Sequence, residues 1–142
     1  MTSSNASNAP APDYTLIFDG GSKGNPGPAY GSYLIRTRDG REALQRVDFG
    51  IGTNNEAEYN ALIAGLQDLL ARIEHAGLSA NSFIVEVRGD SQLVLNQVAG
   101  RWKVKQPHLA PLVNRARTLL QQFKHYHLLY HHRSENVRLL GH

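Results

Sequence analysis

The order of apolar runs and turns along the chain predicts an α/β fold, a five-stranded mixed sheet in the order βββαβααβ with helices packed on it. Three observations carry this expectation. Five short runs rich in aliphatic, aromatic and β-branched residues alternate with Gly-, Pro-, Asn- and Asp-containing segments. Three longer segments hold apolar residues at helical spacing. The first three short runs follow one another through tight connections, whereas the later ones are reached through helical segments, as parallel strands require.

Tyr14 to Asp19 (YTLIFD) reads as a buried strand that stops at Gly20-Gly21, and GGSKGNPGP as a turn-rich loop. Tyr30 to Arg36 and Glu42 to Gly50 are the next two strands, with Asp39-Gly40 as their hairpin turn. A helix is expected from Asn54 to Glu74, with Thr53 and Glu56 as a capping box and Gly77 just past its end. Phe83 to Arg88 (FIVEVR) is the fourth strand and Asp90 to Val98 a short helix after it. Gly100 to Pro107 forms a basic connection. Leu109 to Lys124 is a helix that tolerates Pro111 in its first turn, and His125 to Tyr130 is the fifth strand. The first three strands are expected to form an antiparallel meander.

The chain has 142 residues, enough for one domain with a real core. Residues 1–12 (MTSSNASNAPAP) read as a disordered tail of Ser, Asn, Ala and Pro, and residues 13–142 as the domain. That start shows no basic stretch followed by an apolar one, so no secretory signal is expected. No apolar run approaches the roughly 20 residues that cross a bilayer. With no cysteine, disulfides, zinc–thiolate sites and thiol catalysis are excluded among these residues, and a cytoplasmic location and a monomer are expected. A net charge of +3 is compatible with an anionic partner but too mild to identify one.

Chemistry enters with carboxylates at the ends of elements. Asp19 closes the first strand and Asp90 the fourth, so each emerges where a buried run leaves the sheet. Each also has an ordinary explanation as a turn former, and Asp90 as a helix cap. The long helix supplies two further candidates. Glu56 sits where it completes the capping box. Glu58 lies about 200° around the helix from it. Glu58 also heads the stripe Leu62, Gly65, Leu66, Leu69 and Ile73 that faces the sheet. A charge heading a buried stripe needs a partner, and a bound cation is one. Glu58 is therefore the expected metal ligand and Glu56 the cap. Carboxylates gathered in this way suit a hard oxygen-seeking ion such as Mg²⁺, which keeps waters and phosphate oxygens in its shell.

These residues stand in three blocks, FDGGSKGNPGPAYG, TNNEAEYNAL and GDSQLV, which resemble the signature blocks of type 1 ribonuclease H. The later VAGRWKVKQPHLAPL is similar to the branch that lacks a long basic protrusion. The likeness runs from about Tyr14 to Asn136. It implies a metal-dependent endonuclease that cuts the RNA strand of an RNA/DNA hybrid, with Mg²⁺ as cofactor and Mn²⁺ as substitute. Asp19, Glu58 and Asp90 fall on three of the family's four catalytic carboxylates. Asn54, Asn55 and Gln92 fall on residues that contact the hybrid in its minor groove, where 2′-hydroxyls distinguish RNA from DNA. Thr53 matches a residue near a DNA phosphate, and it also serves the helix cap. Lys103 and Lys105 suit DNA phosphates, while Trp102 has two readings, packing on the core or contact with a sugar.

One departure stands out. In the family an Asn near the C-terminus is followed four residues later by the fourth carboxylate; here Asn136 is followed at that offset by Leu140, and the sequence stops at His142. The final helix is expected to be missing, and leucine offers a metal no oxygen. His131 and His132 are candidates for proton transfer or, alternatively, solvated loop residues. Two functions remain: a ribonuclease H weakened at its second metal position, or a hybrid-binding module that has lost effective catalysis.

Overall fold

The computed structural model describes residues 11–141, so most of the expected tail, residues 1–10, lies outside the described residues. Three antiparallel strands come first: β1 (Tyr14–Ser22), β2 (Gly27–Thr37) and β3 (Glu42–Gly52). Helix α1 (Asn54–His75) leads to β4 (Ile84–Gly89), α2 (Gln92–Val98), α3 (Ala110–Leu120) and β5 (His125–Tyr130), and α4 (Arg133–Leu140) follows. The sheet order is β3-β2-β1-β4-β5, with β1 and β2 antiparallel and β4 parallel to both β1 and β5.

The central strand explains its own sequence. Leu16, Ile17 and Phe18 are all fully buried, because β1 is covered on both faces and an unbroken apolar run replaces alternation. Leu16 and Phe18 join the large core under α1 and α3, whereas Ile17 belongs to a smaller cluster with Leu34 and Leu140 on the opposite face. The stripe of α1 is buried as its spacing requires: Leu62, Gly65, Leu66, Leu69 and Ile73 lie inside. Both bonds of the capping box form, with Glu56 N donating to Thr53 Oγ1 at 3.1 Å and Thr53 N to Glu56 Oε1 at 2.8 Å.

Two expectations are corrected. The strands β1 and β2 extend through Ser22 and back to Gly27, so Gly20-Gly21 belong to the ladder and the connecting loop is short. More consequentially, a final helix exists. His132 caps α4 by accepting from Ser134 N, Gly141 ends it in the left-handed region at φ 81°, and Leu140 is fully buried against the sheet. Eight residues hold a helix poorly by propensity alone; burial of one apolar side chain and defined caps supply what the polar sequence RSENVRLL concealed. Among the described residues no helix is long and apolar enough to cross a membrane.

Candidate active site

Parallel pairing of β1 with β4 sets the C-terminal ends of these strands side by side, which brings Asp19 and Asp90 to one edge of the sheet. Helix α1 crosses there with its first turns. Oxygen atoms of Asp19, Glu58 and Asp90 all lie within 4.8 Å of one another. Glu56 faces away into its cap. The approach of helix to strand is possible because residue 20 is glycine: a Cβ there would stand 2.3 Å from the Ala57 carbonyl oxygen and 2.6 Å from Glu58 N. Gly20 N also donates to Glu58 Oε1 at 2.6 Å, so the same glycine admits the helix and orients its carboxylate.

Three carboxylates this close are electrostatically unfavourable by themselves. Burial is the main cause, with the charges of Asp19 and Asp90 added, that pushes the Glu58 pKa up to about 9, against the hydrogen bond from Gly20. A cluster of hard oxygen donors, one of them driven to hold a proton in the absence of a cation, fits a divalent ion of the Mg²⁺ type. A protein cation also reaches the cluster: Arg133 Nη1 lies 3.6 Å from Asp90 Oδ2, although that guanidinium is largely exposed.

Beside the carboxylates the start of α1 meets the loop after β1. Asn54 Oδ1 accepts from Ser22 N at 2.9 Å and from Ser22 Oγ at 3.1 Å, while Asn54 N donates to Asn25 Oδ1 at 3.0 Å. A backbone N–H only donates, so the carbonyl end of Asn54 must face Ser22 and the amide end is the one offered elsewhere. Asn54, Asn55 and Gln92 are all exposed. Thr53 is occupied in the cap.

Farther along, Trp102, Lys103 and Lys105 line an open groove of about 370 Å³ together with Leu93, Gln97 and Gln106. Trp102 is 47% exposed and keeps a free surface. His131 bonds through its ring to Asn136 and through its backbone N to Gly89 O, and His132 caps α4. Both histidines are thus tied into structure. Asn136, 1% exposed, also donates to Phe18 O at 3.1 Å and fastens α4 to the strand that carries Asp19. His125 and His127 are exposed on β5. Glu135 is paired with Arg138. Leu140, in its apolar cluster, presents no oxygen to the site.

Sequence reasoning missed Gly20, Ser22, Asn25 and Arg133. A glycine directly after a strand-end carboxylate is a usable signal of close backbone approach. Arg133 carries no such signal, because its proximity depends on a helix that the sequence pattern hid.

A family model described as reverse transcriptase-like matches residues 17–138. A bifunctional protein of Mycobacterium tuberculosis is 44% identical over 108 residues, which are 75% of this chain and 28% of that protein. Ribonuclease HI of Halobacterium salinarum is 39% identical over 122 residues, 85% of this chain and 57% of its length. The chain therefore spans only part of these curated relatives. The solved type 1 ribonuclease H of H. salinarum superposes with a TM-score of 0.76 at 38% identity, covering 88% of this chain and 89% of that one. The LC11 ribonuclease H isolated from compost, solved in complex with an RNA/DNA hybrid, gives a TM-score of 0.78 at 32% identity over 88% of this chain and 89% of its own. With sequence, fold and comparison in agreement over nearly all described residues, the chain belongs to the type 1 ribonuclease H family.

Proposed function

We propose that the chain is an endonuclease that hydrolyses the RNA strand of RNA/DNA hybrids, with Mg²⁺ as its metal and Mn²⁺ as a substitute. The observation that carries this is the convergence of Asp19, Glu58 and Asp90 from three elements within 4.8 Å. These three residues would hold the metal. Divalent ions bound there supply Lewis acidity to the attacking water and to the leaving oxygen of the phosphodiester. Water oxygen bonds to phosphorus as the bond to the 3′-oxygen breaks, and a proton from the water ends on that departing oxygen, leaving a 3′-hydroxyl and a 5′-phosphate.

The remaining candidates bind and orient. Asn54, its carbonyl occupied by Ser22, offers an N–H donor. Minor-groove base edges present acceptors in every base pair, so such a donor positions a duplex without demanding a sequence. Asn55 and Gln92 extend that contact toward bases and 2′-hydroxyls, and Thr53 stands at the helix N-terminus, where a phosphate is favoured. Lys103 and Lys105 neutralise DNA-strand phosphates, and the exposed face of Trp102 packs on a sugar. In this reading residues 13–142 are the hybrid-cleaving domain, monomeric and cytoplasmic.

A second reading has one observation in its favour: the apolar, fully buried Leu140 stands at the sequence offset of the fourth carboxylate. With three carboxylates the second metal is held less well, and the chain is a weak enzyme or a hybrid-binding module. A cleavage assay on a labelled hybrid, with single-stranded RNA and duplex DNA as controls, separates the two. Hybrid-specific cleavage with 5′-phosphate products, stronger in Mn²⁺ than in Mg²⁺ and abolished by Asp19→Asn, supports the weakened enzyme. Tight hybrid binding with no cleavage in either metal establishes the binding module instead. Failure to bind hybrid at all defeats both.

A further inference from the structure

We propose that Gln97 is a positioning residue that sets the Trp102–Lys103–Lys105 connection against the helix carrying Glu58, and so governs hybrid binding rather than bond cleavage. The proposal rests on the reading of Lys103 and Lys105 as phosphate contacts.

Gln97 sits on α2, only 1% exposed, at the base of the groove lined by Trp102, Lys103 and Lys105. A primary amide is an expensive occupant of a core unless both ends are satisfied. Here the two ends are used differently. Its Oε1 accepts from the hydroxyl of Tyr59 at 2.7 Å, and Tyr59 is fully buried and directly follows Glu58 on α1. With its oxygen committed to a hydroxyl donor, the other end carries N–H groups, and Nε2 donates to the backbone carbonyl of Lys103 at 3.3 Å. One side chain thus spans from the metal-site helix to the basic connection.

The backbone of Gln97 is held as firmly as its side chain. Arg117, on α3, donates from Nη2 to Gln97 O at 2.7 Å and from Nε to Val98 O at 3.1 Å, closing the C-terminal end of α2. The connection beyond has little regular structure of its own. It turns at Gly100, whose φ is 83°, and Arg101 N and Trp102 N both donate to Asn96 O. Those bonds fix where the connection starts. The bond from Gln97 fixes Lys103, the point at which the two lysines leave the core. A shift there moves both ammonium groups relative to the carboxylates, while Asp19, Glu58 and Asp90 keep their own supports in Gly20 and the sheet.

The test compares two variants. Tyr59→Phe removes the hydroxyl but leaves Gln97 able to bond Lys103 O. Tyr59→Phe/Gln97→Met replaces both buried polar partners by apolar groups of similar shape and removes the tether. Tyr59→Phe/Gln97→Leu serves as a second version should the first fold poorly by circular dichroism. The double variant should raise KM for a hybrid roughly fivefold, the worth of one ordinary hydrogen bond, with kcat within about twofold. Tyr59→Phe alone, which frees Gln97 from the Glu58 helix while its bond to Lys103 O can persist, should raise KM by less than the double variant and leave kcat near the parent.

Two readouts separate positioning from general stability. Trp102 is the single tryptophan of the chain, so its emission should shift to the red and its quenching by acrylamide increase most in the double variant. The log–log salt slope of hybrid binding should also flatten by about one unit for each phosphate that the lysines cease to neutralise. Lys103→Ala/Lys105→Ala is the control for the underlying reading. If the lysine pair leaves the slope unchanged, these lysines hold no phosphate, and both that reading and the proposal fall. If the lysine pair flattens the slope but the Gln97 double variants keep the parent slope, KM and Trp102 emission, the proposal alone is wrong. A fall in kcat at constant KM would instead assign Gln97 to the support of Glu58 and overturn it.

Discussion

Replacing Glu58 by glutamine tests the electrostatics of the site without any substrate. Glutamine keeps the oxygen that accepts from Gly20 N and removes only the capacity for charge. Folding raises the Glu58 pKa, so the metal-free folded chain retains a proton that the unfolded chain has released. Its contribution is therefore fully present below the ordinary value of 4.5 and is lost as pH rises toward about 9. The slope across that window is about 1.4 kcal/mol per pH unit. Carried from 4.5 to neutral pH, it amounts to at most about 3 kcal/mol of lost stability in the parent. Glu58→Gln should escape that loss. In urea unfolding with a chelator, the two proteins should be equally stable near or below about pH 4.5 and diverge above it, the variant being the more stable by up to about 3 kcal/mol at neutral pH. Saturating Mg²⁺ should narrow the gap, since a ligand at about a hundred times its dissociation constant stabilises the folded parent by roughly 3 kcal/mol and the variant by less. Parallel pH curves in chelator, or a variant that is the weaker protein at neutral pH, would refute the assignment of a buried proton to Glu58.

Other perturbations address the remaining parts of the site. Gly20→Ala should destabilise the chain by about 1–3 kcal/mol or more, because the Cβ meets immobile backbone of α1. It should also weaken Mg²⁺ binding, read by calorimetry; an unchanged metal affinity would separate the close approach from the placement of Glu58. Asn54→Asp keeps the acceptor for Ser22 and adds a charge favourable at a helix N-terminus, so its Tm should hold or rise. Its hybrid affinity should fall about tenfold or more through loss of the N–H donor, and retained affinity would show that the amide end makes no contact. Leu140→Asp would set a carboxylate beside Ile17 and Leu34 and should cost roughly 3–5 kcal/mol in thermal or urea unfolding. A variant as stable as the parent and faster under Mg²⁺ would instead mean that this side chain reaches the metal.

Much of the architecture could be read from local patterns. The capping box at Thr53 and Glu56, the buried stripe of α1 and the span of β5 depend on spacing and turn chemistry that operate within a few residues. The choice of Glu58 over Glu56 as the member of the carboxylate cluster followed from helix periodicity, since only one of them heads the stripe that faces the sheet. Helix α4 was not legible. Its sequence is mostly polar, its N-cap is a histidine, and its one decisive apolar residue makes sense only beside Ile17 and Leu34, about a hundred residues or more away.

By itself the sequence singled out Asp19, Glu58 and Asp90 as a candidate cluster and placed each near the end of an element, because caps and periodicity are local properties of the chain, although β1 runs on past Asp19 to Ser22. Tertiary structure decided the distances. Parallel pairing of β1 with β4 put Asp19 beside Asp90, and the missing side chain at Gly20 let α1 come close enough for Glu58 to join them. It also turned Leu140 inward and brought Arg133 to Asp90, through a helix held by packing against the far face of the sheet. Such contacts join residues remote in sequence, and their energies arise from burial and charge proximity that exist only once the layers have closed.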